Sequence, residues 1–172
     1  MKNLQVRLCL FAMGLFIVLF PSVLSCTESR QPETKKNISD ALAPDFNLKD
    51  LTGRSFKLST HRDKPVLLIF ITTWCPTCRS EIPHYKEIYE TYSRKGLEVV
   101  SIDIQEPKER VARLVARYSI PYKTLLDESG DVASSYGIIG IPSMILVNKG
   151  GTILSRQYSA IDTILETLLE KK

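Results

Sequence analysis

Cysteine and histidine are both scarce in this chain, and their scarcity narrows its chemistry. The 172 residues hold four cysteines, Cys9, Cys26, Cys75 and Cys78, and two histidines, His61 and His84. A structural zinc site built on the Cys75/Cys78 pair needs two further ligands, and beyond Cys26 the chain offers it no cysteine after the apolar run, only His61 and His84. Redox use of the pair is therefore favoured over metal binding, and no metal or other cofactor is expected. Cysteine is also too sparse for a disulfide framework, because Cys9 lies inside an apolar run and Cys26 directly follows it. A bridge between Cys75 and Cys78 would close too small a loop to remove much entropy from the unfolded chain, so it is a poor structural staple. Charge of one sign is not in excess either. The net charge is +4, of which Lys2 and Arg7 supply two, and nothing in it points to nucleic acid.

What is present begins with an export signal. Lys2 and Arg7 precede the apolar stretch 8–23, which ends in Val23-Leu24-Ser25-Cys26. A basic start, an apolar middle and a small residue before the cut define a secretory signal. Its ending resembles a bacterial lipoprotein signal, in which the cysteine becomes the lipid-bearing first residue, so Cys26 is the expected lipid anchor. Leu24 is less usual at its position in that box, which leaves an uncleaved membrane anchor as the alternative reading of residues 1–25. Either way the domain is expected outside the cytoplasm and tethered to a membrane. Residues 26–43 are polar, with Pro32 and few large apolar side chains, and read as a flexible tether. The folded domain is expected over 44–172, a length suited to one core.

Within that domain the apolar periodicity alternates between strand and helix. Phe46 and Leu48, then Phe56 and Leu58, alternate with polar neighbours around the turn 50–53, which predicts an N-terminal β-hairpin. Residues 66–71 are apolar without alternation, as in a strand buried on both faces of a largely parallel sheet. Ile82, Tyr85, Ile88, Tyr89 and Tyr92 follow at helical spacing up to Lys95-Gly96, with Pro83 expected to kink the helix. Further strands are predicted over 97–104 and 124–126, and further helices over 109–118 and 132–136. The helix 109–118 carries Arg110, Arg113 and Arg117 on its polar face, read as a solvated surface. A hairpin from 144–147 to 152–157 leads to a closing helix over 160–170, with Ser159 as its cap and Ile161, Ile164, Leu165, Leu168 and Leu169 facing inward. The pattern is that of an α/β domain with a mixed central sheet flanked by helices.

The stretch Trp74-Cys75-Pro76-Thr77-Cys78 organises the rest, because it leaves the buried strand and opens the long helix. Two intervening residues put both sulfurs on one helical turn. The first sulfur then sits at the helix N-terminus, where free N–H groups and the dipole favour a thiolate. Cys75 is the expected nucleophile, and the more shielded Cys78 the resolving thiol. Pro76 suits the first helical position. Trp74 is expected to shelter the pair and, with Pro76 and Thr77, to present the surface a substrate meets.

Together with Pro83 in the helix and Gly140-Ile141-Pro142 before an apolar strand, this motif resembles the thioredoxin fold over nearly all of 44–172. The resemblance implies a cis peptide bond at Ile141-Pro142 beside the dithiol, with the backbone of Ile141 free to pair with a substrate strand. The export signal, the leading hairpin, the inserted strand and helix between 97 and 126, and Cys78-Arg79-Ser80-Glu81-Ile82-Pro83 are similar to the membrane-tethered group of TlpA, ResA and the DsbE-like cytochrome c maturation thioredoxins. In that group a glutamate three residues after the second cysteine lies near the dithiol, which maps onto Glu81. Ile69 occupies the position where cytosolic thioredoxins carry a buried aspartate, so Glu81, one turn beyond Cys78, is the candidate proton carrier. Its alternative reading is a carboxylate favoured by the helix dipole. Pro142-Ser143-Met144-Ile145 departs from the two threonines and phenylalanine common in the group, which bears on substrate preference.

The resemblance implies a thiol–disulfide oxidoreductase, kept reduced by a membrane thiol donor of the DsbD/CcdA type and opening disulfides in exported proteins such as apocytochrome c. It is expected to act as a monomer. Three rivals stand beside this reading, of which a non-catalytic tethered adaptor gives no reason for an otherwise thiol-free domain to keep the pair. A peroxiredoxin-like peroxidase would use the Thr72 to Cys75 spacing, but position 68 is Leu where a proline is expected. A copper-delivery module of the Sco type would need cysteines three residues apart and a later histidine, and none follows His84.

Overall fold

The computed structural model describes residues 41–169. Seven strands and four helices alternate along it: β1 (Asn47–Asp50), β2 (Ser55–Lys57), β3 (Val66–Ile71), α1 (Pro76–Tyr92), β4 (Glu98–Ile104), α2 (Lys108–Tyr118), β5 (Lys123–Asp127), α3 (Asp131–Ser135), β6 (Ser143–Val147), β7 (Ile153–Ser155) and α4 (Ile161–Leu169). The strands form one mixed sheet in the order β2-β1-β5-β4-β3-β6-β7. β3, β4 and β5 run parallel at its centre, and antiparallel partners close it on both sides.

β3 explains the layering. All six of its residues are buried, and successive side chains point to opposite faces. Leu67, Ile69 and Ile71 join the core that holds Cys75, Cys78, Ile82, Tyr85 and Leu165. Val66, Leu68 and Phe70 join the opposite core, with Phe46, Phe56, Val132 and Tyr136. Helices α1 and α4 therefore cover one face and α3 the other, where Phe46 and Phe56 from the N-terminal end also pack. The unbroken apolar run is what a strand covered twice requires.

α1 begins directly after the strand loop. Cys75 is its N-cap and Pro76 its first residue, where a missing N–H is no loss. Cys78, Ile82, Tyr85, Ile88 and Tyr92 are its buried positions, one stripe at helical spacing. The helix continues through Pro83 and ends in a 3-10 turn, Ser93–Lys95, followed by Gly96 with φ 99°. That left-handed conformation suits glycine and reverses the chain into β4.

Several local expectations shift. Backbone contacts reach back to Ala41: Ala43 N–H bonds Gly151 C=O at 2.8 Å, and Ile153 N–H bonds Ala41 C=O at 2.9 Å. Residues 41–43, read above as the end of a tether, thus add to the sheet beside β7. Cys9, Cys26 and the stretch 1–40 assigned to signal, anchor and tether lie outside the described residues. Ser159 does not cap α4 but sits inside a preceding 3-10 turn, Tyr158–Ala160. Leu168 is 40% exposed, because α4 buries mainly Ile161 and Leu165. No helix among the described residues is long and apolar enough to cross a membrane.

Candidate active site

The two thiols meet at the carboxyl end of β3, where Thr72, Thr73 and Trp74 carry the chain into α1. Cys75 and Cys78 are both free thiols, 5% and 1% exposed. The Cys75 sulfur occupies the cap position and accepts the Cys78 N–H at 3.1 Å. A sulfur receiving a helix-terminal N–H is placed to carry charge during exchange. Burial pushes the Cys78 thiol up to about 12, and its hydrogen bond with Cys75 adds to the rise. The pair is thus divided into one sulfur at the helix cap and one held protonated a turn further in.

Opposite the sulfurs, the Ile141-Pro142 peptide bond is cis. The Cys75 Sγ lies 4.0 Å from the Ile141 carbonyl oxygen, within reach of a weak S–H donation. The Ile141 backbone thus stands beside Cys75, and the cis bond falls where the resemblance implied one. Pro76 and Thr77 are exposed at its rim. Trp74 is 61% exposed and packs into neither core. Trp74 instead borders an open groove of about 550 Å³ that also takes in Ile104, Gln105, Ile138, Ile139 and Ile141. The fully exposed Ile139 at its edge was not singled out in the sequence, although two isoleucines between Gly137 and Gly140 are unusual for a loop.

The loop before Cys75 is held from two sides. Glu106, buried just after β4, accepts the Thr73 hydroxyl at 2.6 Å and the Thr73 N–H. Arg79, next to Cys78, donates from Nη1 to the Thr73 carbonyl at 2.9 Å. Behind Glu106 lies Asp103 on β4, 1% exposed, neither of its oxygens hydrogen-bonded among the described residues. Burial and the neighbouring Glu106 push its carboxyl up to about 8. Two carboxyl groups so close share a low-dielectric site in which one keeps its proton. Neither acid stands out in the sequence, because only the pairing of β4 beside β3 brings them under the Cys75 loop.

Glu81 is half-buried one turn past Cys78 and accepts a hydrogen bond from the Tyr158 hydroxyl. Tyr85 lies between: its hydroxyl is buried without a hydrogen-bond partner among the described residues. Burial, with Tyr158, Cys78 and Glu81 nearby, pushes its pKa up. Of the histidines, His61 stacks on Phe56 with ring centroids 4.1 Å apart, and His84 Nε2 faces Asp162 at 3.5 Å. Position 68 is a buried residue in the middle of β3.

Residues 40–156 match the AhpC/TSA family. The chain belongs to this family. Among its relatives, the chain is 35% identical over 111 residues to the thiol-disulfide oxidoreductase ResA of Geobacillus thermodenitrificans, covering 64% of each chain. It is 37% identical over 112 residues to ResA of Halalkalibacterium halodurans, covering 65% of this chain and 64% of that one. The matched stretch thus spans just under two thirds of the length of these curated relatives. Among solved structures, the thioredoxin domain of a thiol-disulfide oxidoreductase from Bacteroides vulgatus superposes with a TM-score of 0.68 at 27% identity, over 76% of this chain and 97% of that one. A protein described as the thiol:disulfide interchange protein DsbE of Chlorobium tepidum gives 0.68 at 25% identity, over 77% and 96%. The AhpC/TSA chain accordingly has a thioredoxin-like fold, its seven-stranded mixed sheet flanked by helices.

Proposed function

We propose that the chain is a protein thiol–disulfide oxidoreductase working through Cys75 and Cys78. The observation that carries the reading is the Cys75 sulfur at the α1 cap, 3.1 Å from the Cys78 N–H and 4.0 Å from the Ile141 carbonyl. The thiolate of Cys75 attacks one sulfur of a substrate disulfide. That S–S bond breaks, the departing sulfur takes a proton, and Cys75 is left in a mixed disulfide. Cys78 then loses its proton and attacks the Cys75 sulfur, releasing the second substrate thiol and leaving a Cys75–Cys78 disulfide. Two electrons pass to the substrate, and a thiol donor must return them. The second step needs a proton acceptor, since Cys78 is held protonated, and Glu81 is the carboxylate one turn away.

The finer reading follows the names of the relatives and the first residues of the chain. The domain faces the outside of the cytoplasm, tethered through a lipid on Cys26 or through an uncleaved 1–25 segment, and works as a monomer. It reduces disulfides of exported proteins, apocytochrome c being one such substrate, and is recharged by a membrane donor of the DsbD/CcdA type. Trp74, Pro76, Thr77, Ile141 and Pro142 form the surface that receives the substrate.

Two measurements test this. Cys78→Ser should accumulate a mixed disulfide between Cys75 and the natural substrate in cells, and recovery of no thiol-sensitive adduct would count against exchange. Equilibration of the couple against glutathione or dithiothreitol sets the direction. A potential near thioredoxin's ~−270 mV or lower marks a reductant, and one near ~−120 mV an oxidant.

A further inference from the structure

The arginines of α2 are exposed, as a solvated face requires, and they also line an open cleft. About 580 Å³ of space opens between the start of α1 and α2, over a floor of Leu114 and Tyr118. It is lined by four arginines, Arg79, Arg110, Arg113 and Arg117, together with Thr73, two residues before the proposed nucleophile. Two of the four are already engaged, Arg79 with the Thr73 carbonyl and Arg110 with Glu106 at 3.4 Å. Arg117 lies over the Tyr118 ring, 5.9 Å from its centroid. Glu106 is the one carboxylate in ion-pair contact with any of them among the described residues, and it is buried under Thr73. Arg113 has no partner among the described residues. The cleft therefore holds a local surplus of positive charge in a chain whose net charge is only +4.

We propose that this cleft docks an acidic segment of the protein substrate, a few residues from the cysteine that Cys75 attacks. The proposal rests on the oxidoreductase reading for the identity of the partner. Arg113 and Arg117 lie one turn apart, about 6 Å along the helix axis. Carboxylates two residues apart on one side of an extended strand are about 7 Å apart. An acid-x-acid segment running along α2 thus meets two guanidinium forks, whose planar donors suit carboxylates and form paired bonds with them. Arg79, fixed by the Thr73 carbonyl, ties that segment to the loop carrying the nucleophile.

The test uses the full-length protein, its Arg113→Gln/Arg117→Gln double variant, and Lys149→Gln as a control on the exposed β6–β7 turn. Anisotropy is read for labelled, cysteine-free peptides bearing either Asp-x-Glu or Asn-x-Gln. Exchange is read as kcat/KM on disulfide-linked peptides with the same two flanks. The acidic peptide should bind and react about tenfold better with the wild type, the preference should fade as salt rises, and the double variant should lose it. Lys149→Gln should keep it. Equal binding of both peptides, or a preference that survives in the double variant, overturns the proposal. So does protein that sediments with anionic phosphatidylglycerol vesicles through these arginines while showing no peptide preference, since the cleft would then serve a membrane surface. The two readings fail separately: a wild type that binds the acidic peptide but exchanges no disulfide refutes the oxidoreductase and leaves the docking cleft.

Discussion

The Tyr158 hydroxyl donates a hydrogen bond to the Glu81 carboxylate, joining the turn before α4 to the second turn of α1. Burial and this bond push the tyrosine's pKa up, so its proton stays in place at any working pH. Tyr85 lies within electrostatic reach of both groups and of Cys78. In the proposed exchange, the contact orients a carboxylate one turn from the thiol that would lose its proton in the resolving step.

If Glu81 receives that proton, Glu81→Gln should slow resolution of the mixed disulfide by about tenfold or more, the usual range for a displaced acid–base group. Tyr158→Phe should slow it less, through loss of orientation. The double variant should be no slower than Glu81→Gln alone, because the tyrosine acts through the glutamate. Stopped-flow measurement of single turnovers checks this, with circular dichroism to show that each variant is folded. Additive effects would separate the two residues, and unchanged rates would remove Glu81 from the mechanism.

The division between the thiols has its own signature. Cys78 is pushed up to about 12, so at pH 7.5 almost none of it is thiolate, and thiolate is the reactive form. Iodoacetamide at that pH should label Cys75 at least tenfold faster than Cys78, read by peptide mapping after brief exposure. Comparable labelling of both would contradict the assigned roles.

How much of this was legible in the sequence depended on the range of the interactions. β3 begins and ends where its apolar run does, and Cys75 caps α1 where the spacing put it, because both follow from neighbouring residues. Ile141-Pro142 came from family likeness, with no physical signal of its own in the flanking residues. The 61% exposure of Trp74 depends on which side chains fill the core beside it, a fact of packing that one motif does not show. Glu106 reaches Thr73 across 33 positions, and Tyr158 reaches Glu81 across 77. Such pairs exist only once the sheet order and the α4 packing are set.

Trp74 and Ile139 flank the groove beside the cis Ile141-Pro142 bond, 61% and 103% exposed, and large apolar side chains so exposed point to contact with a partner. Trp74→Ala should lower kcat/KM for a protein disulfide by about tenfold, since truncating a central aromatic contact costs upward of ~1 kcal/mol. Turnover with oxidised dithiothreitol, too small to span the groove, should change less than about twofold on the same reasoning. A parallel loss on both substrates would mean that Trp74 supports the thiols and not the partner.

Asp103 gives the protein a dependence on pH that runs against the usual carboxylate pattern. Its model-peptide value is 3.8, and in the fold burial and Glu106 raise it to about 8. Between those limits the folded state holds a proton that the unfolded state has lost, so this group's contribution to stability is full below pH 4 and is lost as pH climbs to about 8. Asp103→Asn keeps the shape and removes the ionisation. It should melt with the wild type near pH 4 and several degrees above it at pH 8, where about 1 kcal/mol moves the midpoint of a domain this size by a few degrees. Above that range the wild-type Asp103 is charged beside Glu106, and their repulsion bears on the carboxylate that holds Thr73 and, through it, the Cys75 loop. Cys75 alkylation in the wild type should therefore rise more steeply through pH 8 than in Asp103→Asn. Identical melting differences at both pH values would show that Asp103 does not titrate in this window.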